Sequence, residues 1–407
     1  MYRIRCSQAR CLLLLFVLFM LECYFGLLVN NNATKPRKIY YLTTDKNESH
    51  HEQVYYKYPL INGEKVAMDY NIGYNSSYDW FMAMKKFFKN IGENETVRYK
   101  KNTPNCKLDA TTLGPLKVLK NKTNLEYVEE QNPDVMLGGY YAPAHCRSTY
   151  RVAVIVPYRD RKDNLAIFLR HLHPLLKKQL LEYRIFVVEQ HGTEKFNKGS
   201  LYNIAFLETQ RFGSWDCLVF HDVDLIPEHE GIPYSCNQHP THMSPAVESF
   251  GYVLPYKLIF GGVTALTPQH YRLVNGYSNF YWNWGAEDDD FYGRLESINI
   301  TVSRYNSSIA RYATLPHNCT KMGKERALLL MISKIRYQKE GLSTTIYKLI
   351  NVTELKLYTH IVADVNPTKM KLDMKSLMQR VLSLYGQTIV YGHKEFVLSN
   401  PAKFERI

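Results

Sequence analysis

The stretch RVAVIVPY, Arg151 to Tyr158, has the length and the β-branched content of a buried strand. The spacing of the apolar residues changes directly after it to that of a helix, with Leu165, Phe168, Leu169, Leu172 and Leu176 on one face. RIFVV at 184–188 indicates a second strand, 201–207 a second helix, and CLVFH at 217–221 a third strand. Strands that alternate with helices predict an α/β domain with a mostly parallel sheet.

The sequence DVD, Asp222 to Asp224, follows the third strand directly. Ligands of such sheets bind beyond the carboxyl ends of the strands, so we expect a binding site here. Two carboxylates in this position can hold a divalent cation, which in turn can bind a diphosphate. The strands carry neither a GxGxxG nor a P-loop pattern, which excludes an ordinary dinucleotide or P-loop site.

A second polar cluster, WNWGAEDDD at Trp282–Asp290, places four carboxylates behind two tryptophans. Neighbouring carboxylates raise one another's pKa, and burial acts in the same direction. The cluster therefore suits a general base that works near neutral pH. A solvated acidic loop would explain the acids, but it would not explain the two tryptophans beside them.

The N-terminus has the pattern of a signal anchor. Residues 1–10 contain three arginines and no acid, and residues 11–29 contain Glu22 as their one charged residue. The apolar length suits a transmembrane span, and the positive-inside rule then places residues 1–10 in the cytosol and the rest in a lumen. A cleaved signal peptide with 11–21 as its apolar part is the alternative, although no small-residue cleavage site follows it.

The rest of the chain has features of a secretory glycoprotein. We predict glycosylation at the sequons of Asn32, Asn47, Asn75, Asn94, Asn121, Asn299, Asn306 and Asn351. A ninth sequon, at Asn318, lies close to candidate site residues, and we do not expect every sequon to be used. Five cysteines lie beyond the N-terminal segment, which in an oxidising lumen allows two disulfides and one free thiol.

Residues 30–105 are polar, rich in sequons and weakly periodic, which predicts a stem between membrane and domain. A small ordered subdomain is the alternative. The formal net charge of the chain is +13. A luminal location and the lack of an aromatic-basic motif argue that this charge is a surface property and that the protein does not bind nucleic acid.

Several blocks in order resemble the signature blocks of the β-1,4-galactosyltransferase family: PYRDR (157–161), FNKGSLYN (196–203), FHDVDLIP (220–227), FGGVTAL (260–266) and WNWGAEDDD. That family consists of inverting, Golgi, single-pass type II enzymes with a GT-A-type (Rossmann-like) nucleotide-sugar fold. The resemblance covers roughly Cys106 to Asp364. It therefore implies a catalytic domain at 106–365, a C-terminal extension at 366–407, Mn²⁺ as the cofactor and a Golgi membrane location with the domain in the lumen.

The resemblance also assigns roles residue by residue. It implies Asp288 as the catalytic base with Glu287 beside it, and disulfides Cys106–Cys146 and Cys217–Cys236. The implied metal ligands are Asp224, His317 and Thr314. The implied donor-binding residues are Pro157, Arg159, Arg161, Phe196, Lys198, Asp222, Val223, Asp224, Ile259 and Trp284. The implied acceptor-binding residues are Tyr256, Trp284, Glu287, Asp288, Asp289 and Arg326.

Four positions depart from the family pattern. Thr314 stands where galactosyl enzymes carry Met, and a hydroxyl is a harder ligand than a thioether. Lys198 stands where Arg is more usual. Asn283 and Ala286 replace glycines of the mobile loop that carries Trp284, and Ala lacks the conformational freedom of Gly. A lectin-like member with weak catalysis is the alternative that these departures support, although the acids of both motifs remain.

Ile259 bears on the sugar that is transferred. Vertebrate galactosyl enzymes have Tyr at this position, which crowds the C2 substituent of the donor sugar, whereas Ile leaves an apolar space for an acetamido methyl. Invertebrate members with Ile or Leu resemble N-acetylgalactosaminyltransferases. We therefore expect transfer from UDP-GalNAc to the 4-hydroxyl of a terminal β-GlcNAc on glycoprotein or glycolipid glycans. UDP-Gal is the alternative donor, and xylose-type or glucose acceptors are the alternatives to GlcNAc.

Overall fold

The structure, a computed structural model, describes residues 102–317 and 326–365, together with residue 376 and strand residues 388–391 and 394–397. The predicted anchor, nearly all of the predicted stem and most of the predicted C-terminal extension lie outside these residues. So do the sequons at Asn32, Asn47, Asn75, Asn94 and Asn318, and Cys319. Within the described ranges, no helix is both long and apolar enough to cross a membrane.

The described helices and strands follow one another along the domain. The helices are α1 (Leu125–Glu130), α2 (Lys162–Lys178), α3 (Lys198–Thr209), α4 (Pro268–Leu273), α5 (Glu287–Ser297), α6 (Arg326–Met331) and α7 (Ser333–Arg336). The strands are β1 (Tyr140–Tyr141), β2 (Arg151–Tyr158), β3 (Glu182–Gln190), β4 (Cys217–His221), β5 (Leu225–Pro227), β6 (Thr241–His242), β7 (Ala246–Val247), β8 (Val263–Leu266), β9 (Ser303–Arg304), β10 (Arg311–Thr314), β11 (Lys348–Glu354) and β12 (Thr359–Asp364). A separate unit contributes the hairpin of β13 (Thr388–Tyr391) and β14 (Lys394–Val397).

The main sheet has the strand order β11-β12-β3-β2-β4-β8-β6-β9, with β1 paired to β3. Its middle strands β12, β3, β2 and β4 are parallel, as the alternation of strands and helices predicts. The flanks differ, because β8 is antiparallel to both β4 and β6, and β11 is antiparallel to β12. The expectation of a mostly parallel sheet is therefore wrong for the pairs β4–β8, β8–β6 and β11–β12, although the edge pair β6–β9 is parallel. Antiparallel neighbours do not need the crossover helix that parallel pairs require.

The core lies on both faces of this sheet. Successive side chains of a strand point to opposite faces, so Val152, Val154 and Val156 of β2 join one apolar cluster while Ala153 and Ile155 join the other. The periodic apolar residues of α2 pack in the first cluster and those of α3 in the second. The mixed α/β domain predicted from the sequence is confirmed.

Both disulfides implied by the resemblance are formed. Cys106 bonds to Cys146, near the start of the described domain, and Cys217 at the first position of β4 bonds to Cys236. The second disulfide spans a sequence separation of 19 residues, and closing a loop of that length stabilises a fold by about 3 kcal/mol in the chain-entropy treatment. It fixes the strand whose other end carries the DVD motif.

Candidate active site

The DVD motif forms the turn directly after β4, beyond the carboxyl end of the strand. Lys198 Nζ lies 2.6 Å from Asp222 Oδ1 and 3.6 Å from Glu287 Oε1, and the Tyr202 hydroxyl donates to the same Asp222 oxygen at 3.4 Å. Burial alone would lower the pKa of Lys198, but the carboxylates of Asp222 and Glu287 raise it well above its usual range. Lys198 is thus a fixed cation that joins the two acidic motifs.

A buried histidine supports this turn from below. His221 Nδ1–H donates to the Asp222 carbonyl at 2.9 Å, which leaves Nε2 to accept from the Tyr234 hydroxyl at 2.9 Å. The Tyr312 hydroxyl donates in turn to Tyr234 at 3.4 Å. Burial lowers the pKa of His221 to about 4, so the ring is neutral near pH 7. Its single tautomer holds the backbone of the turn in place.

Asp224 and His317 meet at the outer side of the same turn. His317 Nε2 lies 3.3 Å from Asp224 Oδ2, and the Leu315 N–H donates to the Asp224 carbonyl at 2.7 Å. Burial raises the pKa of Asp224, and the neighbouring Asp222 raises it further, while the charges of His317, Arg161 and Lys198 lower it. A carboxylate suits Mn²⁺, and the neutral imidazole is a common ligand of transition metals, so the two side chains could hold such an ion together. In the part of the chain that the structure describes, no group of three or more His, Cys, Asp and Glu side chains could hold a metal.

Thr314, the third residue expected at the metal, has other contacts. Its hydroxyl accepts a hydrogen bond from the Ser249 N–H at 3.3 Å, and its own N–H donates to Glu248 Oε2 at 2.9 Å. These bonds attach β10 to the 3-10 turn Glu248–Phe250. Thr314 therefore has a structural role in this arrangement, whether or not it contacts a metal.

The four acids of the cluster WNWGAEDDD occupy the first turn of α5. Four like charges are tolerated here because the unpaired N–H groups and the positive dipole end of a helix N-terminus stabilise anions. Backbone N–H groups of the turn bond to the carboxylates of Glu287 and Asp288. The acidic run that suggested a loop is therefore a helix N-terminus.

Glu287 and Asp288 are both suited to hold a proton near neutral pH. Burial raises the pKa of Asp288 to about 7, and the Asp289 charge adds to this effect, while Lys198 opposes it. Burial also raises the pKa of Glu287 to about 7, against the opposing charge of Lys198. The Asp288 carboxylate lies against Gly261, where an added Cβ would stand 2.5 Å from Oδ2. Only glycine at 261 lets the two segments approach this closely.

Asp290 points to the back of the helix and has a different environment. It accepts from Arg294 Nε at 2.6 Å, from the Tyr281 hydroxyl at 2.9 Å and from Arg336. Glu340 binds the same two arginines. All four charged side chains are at most 3% exposed. Asp290 therefore belongs to a buried, charge-balanced cluster, which we call the buried quartet, that anchors α5.

The two tryptophans have separate environments. Trp282 packs half-buried against the core, whereas Trp284 is 46% exposed beside the acids. Asn283 and Ala286 have φ values of 66° and 74°, which is the left-handed region that glycine adopts most easily. The backbone explains why glycine suits both positions. At Ala286 the side chain costs about 1–2 kcal/mol.

The remaining candidate residues lie around this centre. Arg159 stacks on the Phe196 ring at 5.2 Å and donates to the Glu194 carbonyl, and Arg161 is close enough for its charge to lower the pKa of Asp224. Pro157 is buried near the end of β2, and Val223 is buried within the turn. Arg326 lies over Gly285, where an added Cβ would meet its Nη1 at 2.9 Å. Asn121, Asn299, Asn306 and Asn351 are all exposed.

Tyr256 and Ile259 belong to a segment that crosses in front of the acids. Tyr256 donates its hydroxyl proton to Asp289, and burial together with the acidic charges raises the pKa of Tyr256 far above its usual range. Ile259 is half-buried three residues later. Sequence reasoning missed what holds this segment, namely Gly261, His242 and Arg304. The Gly261–Gly262 pair was the one signal that could have indicated a close backbone approach.

The chain is similar to known glycosyltransferases over most of the described domain. The profile of the N-terminal region of glycosyl transferase group 7 matches residues 106–237, and the profile named N-terminal domain of galactosyltransferase matches residues 241–318. β-1,4-Galactosyltransferase 4 of Cricetulus griseus is 41% identical over 243 residues, which is 59% of this chain and 70% of that protein. The Mus musculus protein of the same name is 38% identical over 296 residues, 70% and 85% of the two chains.

Further matches are to a human relative and to a solved structure from Drosophila. Human β-1,4-galactosyltransferase 5 is 37% identical over 261 residues, 62% of this chain and 66% of that protein, so the match spans about two thirds of that relative. The crystal structure of the catalytic domain of Drosophila β1,4-galactosyltransferase 7 with xylobiose is 27% identical, with a TM-score of 0.47 over 55% of this chain and 97% of that one. A mutant of the same enzyme, in complex with manganese, UDP-Gal and xylobiose, matches equally.

Proposed function

Because the chain belongs to the β-1,4-galactosyltransferase family of glycosyltransferases, we propose that it transfers GalNAc from UDP-GalNAc to the 4-hydroxyl of a terminal β-linked GlcNAc. The reaction is a single in-line displacement that inverts the anomeric carbon. The fold is of GT-A type. The chain acts as a Golgi type II membrane protein, with residues 11–29 as the anchor and the domain in the lumen.

The donor assignment is carried by Ile259. Ile259 lies between Tyr256, which bonds to Asp289, and Gly261, which lies against Asp288. Its half-buried side chain is thereby tied to the immediate neighbourhood of the proposed base. A branched aliphatic side chain has no phenol to crowd the C2 substituent, and it offers apolar contact to an acetamido methyl. Discrimination by one such contact amounts to about 1–3 kcal/mol.

The chain's own residues account for the proton and for the charges. Asp288 takes the proton of the acceptor hydroxyl, and its pKa of about 7 suits a base that works at neutral pH. Lys198 and Arg159 face the donor side as cations, and Glu287 and Asp289 bind sugar hydroxyls. Trp284, whose side chain is 46% exposed, stacks on the sugar and excludes water. Bound at Asp224 and His317, Mn²⁺ would neutralise the diphosphate leaving group.

A side-by-side donor comparison tests this function. The full-length chain in detergent receives Mn²⁺ and a β-GlcNAc acceptor, with UDP-GalNAc or UDP-Gal as the radiolabelled donor. We expect at least about tenfold faster transfer from UDP-GalNAc, which is the lower end of what one apolar pocket contact can discriminate. Faster transfer from UDP-Gal would contradict the assignment and leave the family reaction in place.

Transfer of galactose from UDP-Gal is the second candidate. The names of the relatives, all β-1,4-galactosyltransferases, favour it. The acceptor is open in the same way, since a related Drosophila structure contains xylobiose. The donor comparison is therefore repeated with xylose- and glucose-terminated acceptors. NMR of each product identifies the sugar that was transferred, the acceptor that received it and the linkage between them.

A further inference from the structure

The segment 256–261, which we call the donor segment, contacts the acidic cluster near both of its ends. At one end the Tyr256 hydroxyl bonds to the Asp289 carboxylate. At the other end Gly261 lies directly against the Asp288 carboxylate. Ile259 stands between these contacts. A displacement of this segment would therefore move the proposed specificity residue and the surroundings of the proposed base together.

Two side chains from adjoining strands hold the donor segment from behind. Arg304 Nη2 donates to the Lys257 carbonyl at 2.7 Å and to the Ile259 carbonyl at 2.9 Å. Arg304 Nε donates to His242 Nδ1 at 3.1 Å, and His242 Nε2 bonds to the Gly261 carbonyl at 3.0 Å. β6 and β9 are paired in parallel with His242 opposite Arg304. The sheet thus fixes the spacing between the two side chains.

The hydrogen bonds also fix the protonation of His242. Because Nδ1 accepts from Arg304, the proton must reside on Nε2 and be donated to Gly261. Burial lowers the pKa of His242 to about 3, and the Arg304 charge acts in the same direction. The ring is therefore neutral throughout the physiological range. The Ser244 hydroxyl gives a second bond to the Gly261 carbonyl at 3.2 Å.

We propose that Arg304 and His242 are positioning residues that fix the donor segment against Asp288, and that they thereby set both the donor selectivity and the rate of transfer. The proposal rests on the proposed function and deepens it. Neither side chain needs to touch a sugar. Arg304 binds three acceptors with one rigid, planar guanidinium, a geometry that the single ammonium nitrogen of a lysine does not reproduce. Misplacement of reacting groups by about 1 Å can lower a rate about 100-fold.

Three variants test the proposal in the full-length chain. His242→Phe keeps a ring but removes both hydrogen bonds, His242→Gln keeps an amide N–H for the Gly261 carbonyl, and Arg304→Lys keeps the charge without the fork. The measurements are kcat and KM for both donors, and the Kd values of both donors by calorimetry. In His242→Phe and Arg304→Lys we expect the ratio of the two donors to change about fivefold or more, and kcat to fall more than KM rises. His242→Gln should recover most of the loss.

His173 provides the matched control. It lies in α2 and is also a fully buried, neutral histidine with two hydrogen bonds, to the Tyr183 hydroxyl at 2.8 Å and the Leu357 carbonyl at 2.9 Å. Tyr183 belongs to β3, which β2, β4 and β8 separate from β6 in the sheet. His173→Phe should lower stability as His242→Phe does, with the donor ratio unchanged. If the His242 and Arg304 variants leave the ratio unchanged as well, the proposal is overturned.

Failure of the proposal can be told apart from failure of the proposed function. A preference of the wild type for UDP-Gal refutes the donor assignment, but the change in the ratio still tests the positioning role. If the wild type transfers neither sugar, the proposal is tested by comparing the ratio of the two donor Kd values between the wild type and the variants. Should His242→Phe fail to fold, His242→Gln and Arg304→Lys remain, since each keeps part of the bonding. A wild-type donor ratio in Arg304→Lys would then overturn the proposal, since His242→Gln is expected to stay close to the wild type.

Discussion

Replacing Asp288 with Asn should stabilise the folded domain at pH 8 while abolishing transfer. Burial raises the pKa of Asp288 from 3.8 to about 7, so above pH 7 the fold contains a carboxylate that its surroundings disfavour. The difference between the two values, about 3, corresponds to about 4 kcal/mol at 1.36 kcal/mol per unit. Glu287 and Asp288 titrate as a coupled pair, so part of this free energy belongs to Glu287. We therefore expect Asp288→Asn to raise the free energy of unfolding by about 2–4 kcal/mol.

The sign and the pH window follow from proton linkage. Below about pH 4 both the folded and the unfolded chain carry the proton, so Asp288 has no effect on stability there. From pH 4 to pH 7 the unfolded chain has released the proton while the folded chain retains it, so the wild type loses stability as the pH rises. The gain in the free energy of unfolding from Asp288→Asn should therefore be roughly 2 kcal/mol smaller at pH 5 than at pH 8.

Urea unfolding at the two pH values, with disulfides intact and EDTA present, measures this advantage, and transfer assays on the same samples measure activity. An equal effect at both pH values, or a loss of stability at pH 8, would refute the reasoning. Asp290→Asn is the matched control, because the same substitution there leaves Arg294 and Arg336 short of a counter-charge in the interior. It should destabilise the domain by about 3–5 kcal/mol at both pH values.

Further predictions concern the rate, the loop and the donor. In a pH–rate profile, kcat/KM should fall about tenfold per pH unit below about pH 7 as Asp288 becomes protonated, and a flat profile from pH 5 to 9 would contradict its role as the base. Ala286→Gly should raise the free energy of unfolding by about 1 kcal/mol, seen as a higher urea midpoint, because φ at this residue is 74°. Ile259→Tyr should lower transfer from UDP-GalNAc relative to UDP-Gal about tenfold or more; an unchanged ratio would show that another residue limits the pocket.

The sequence predicts the centre of the sheet well because the signal there is local. β4 has the predicted bounds, Cys217–His221, since a short apolar run with polar flanks has one physical interpretation. The helix α2 begins at Lys162, three residues before Leu165, which is the first residue of the apolar period. Its first turn is polar, and apolar periodicity cannot report a turn that buries little.

The arrangement of distant segments could not be read in the same way. The antiparallel flanks depend on how β8 and β6 return to the sheet, and no local period encodes that. Arg304 and His242 lie 62 residues apart, and each resembles an ordinary strand residue until β6 and β9 pair. At the acidic stretch, composition indicates an unusual pKa but not the helix N-terminus that stabilises the charges. The roles of the site residues come from the resemblance and stay predictions until the variants are measured.

The buried quartet, Asp290, Arg294, Arg336 and Glu340, has a consequence for how this protein can change over generations. Two acids and two arginines share one interior, so losing any single member leaves a net charge there. A lineage can abandon such a group only through balanced exchanges in which an acid and an arginine disappear together. Related sequences should therefore contain either all four charged residues or a set from which an acid and an arginine are missing together. Sequences with three of the four should be rare.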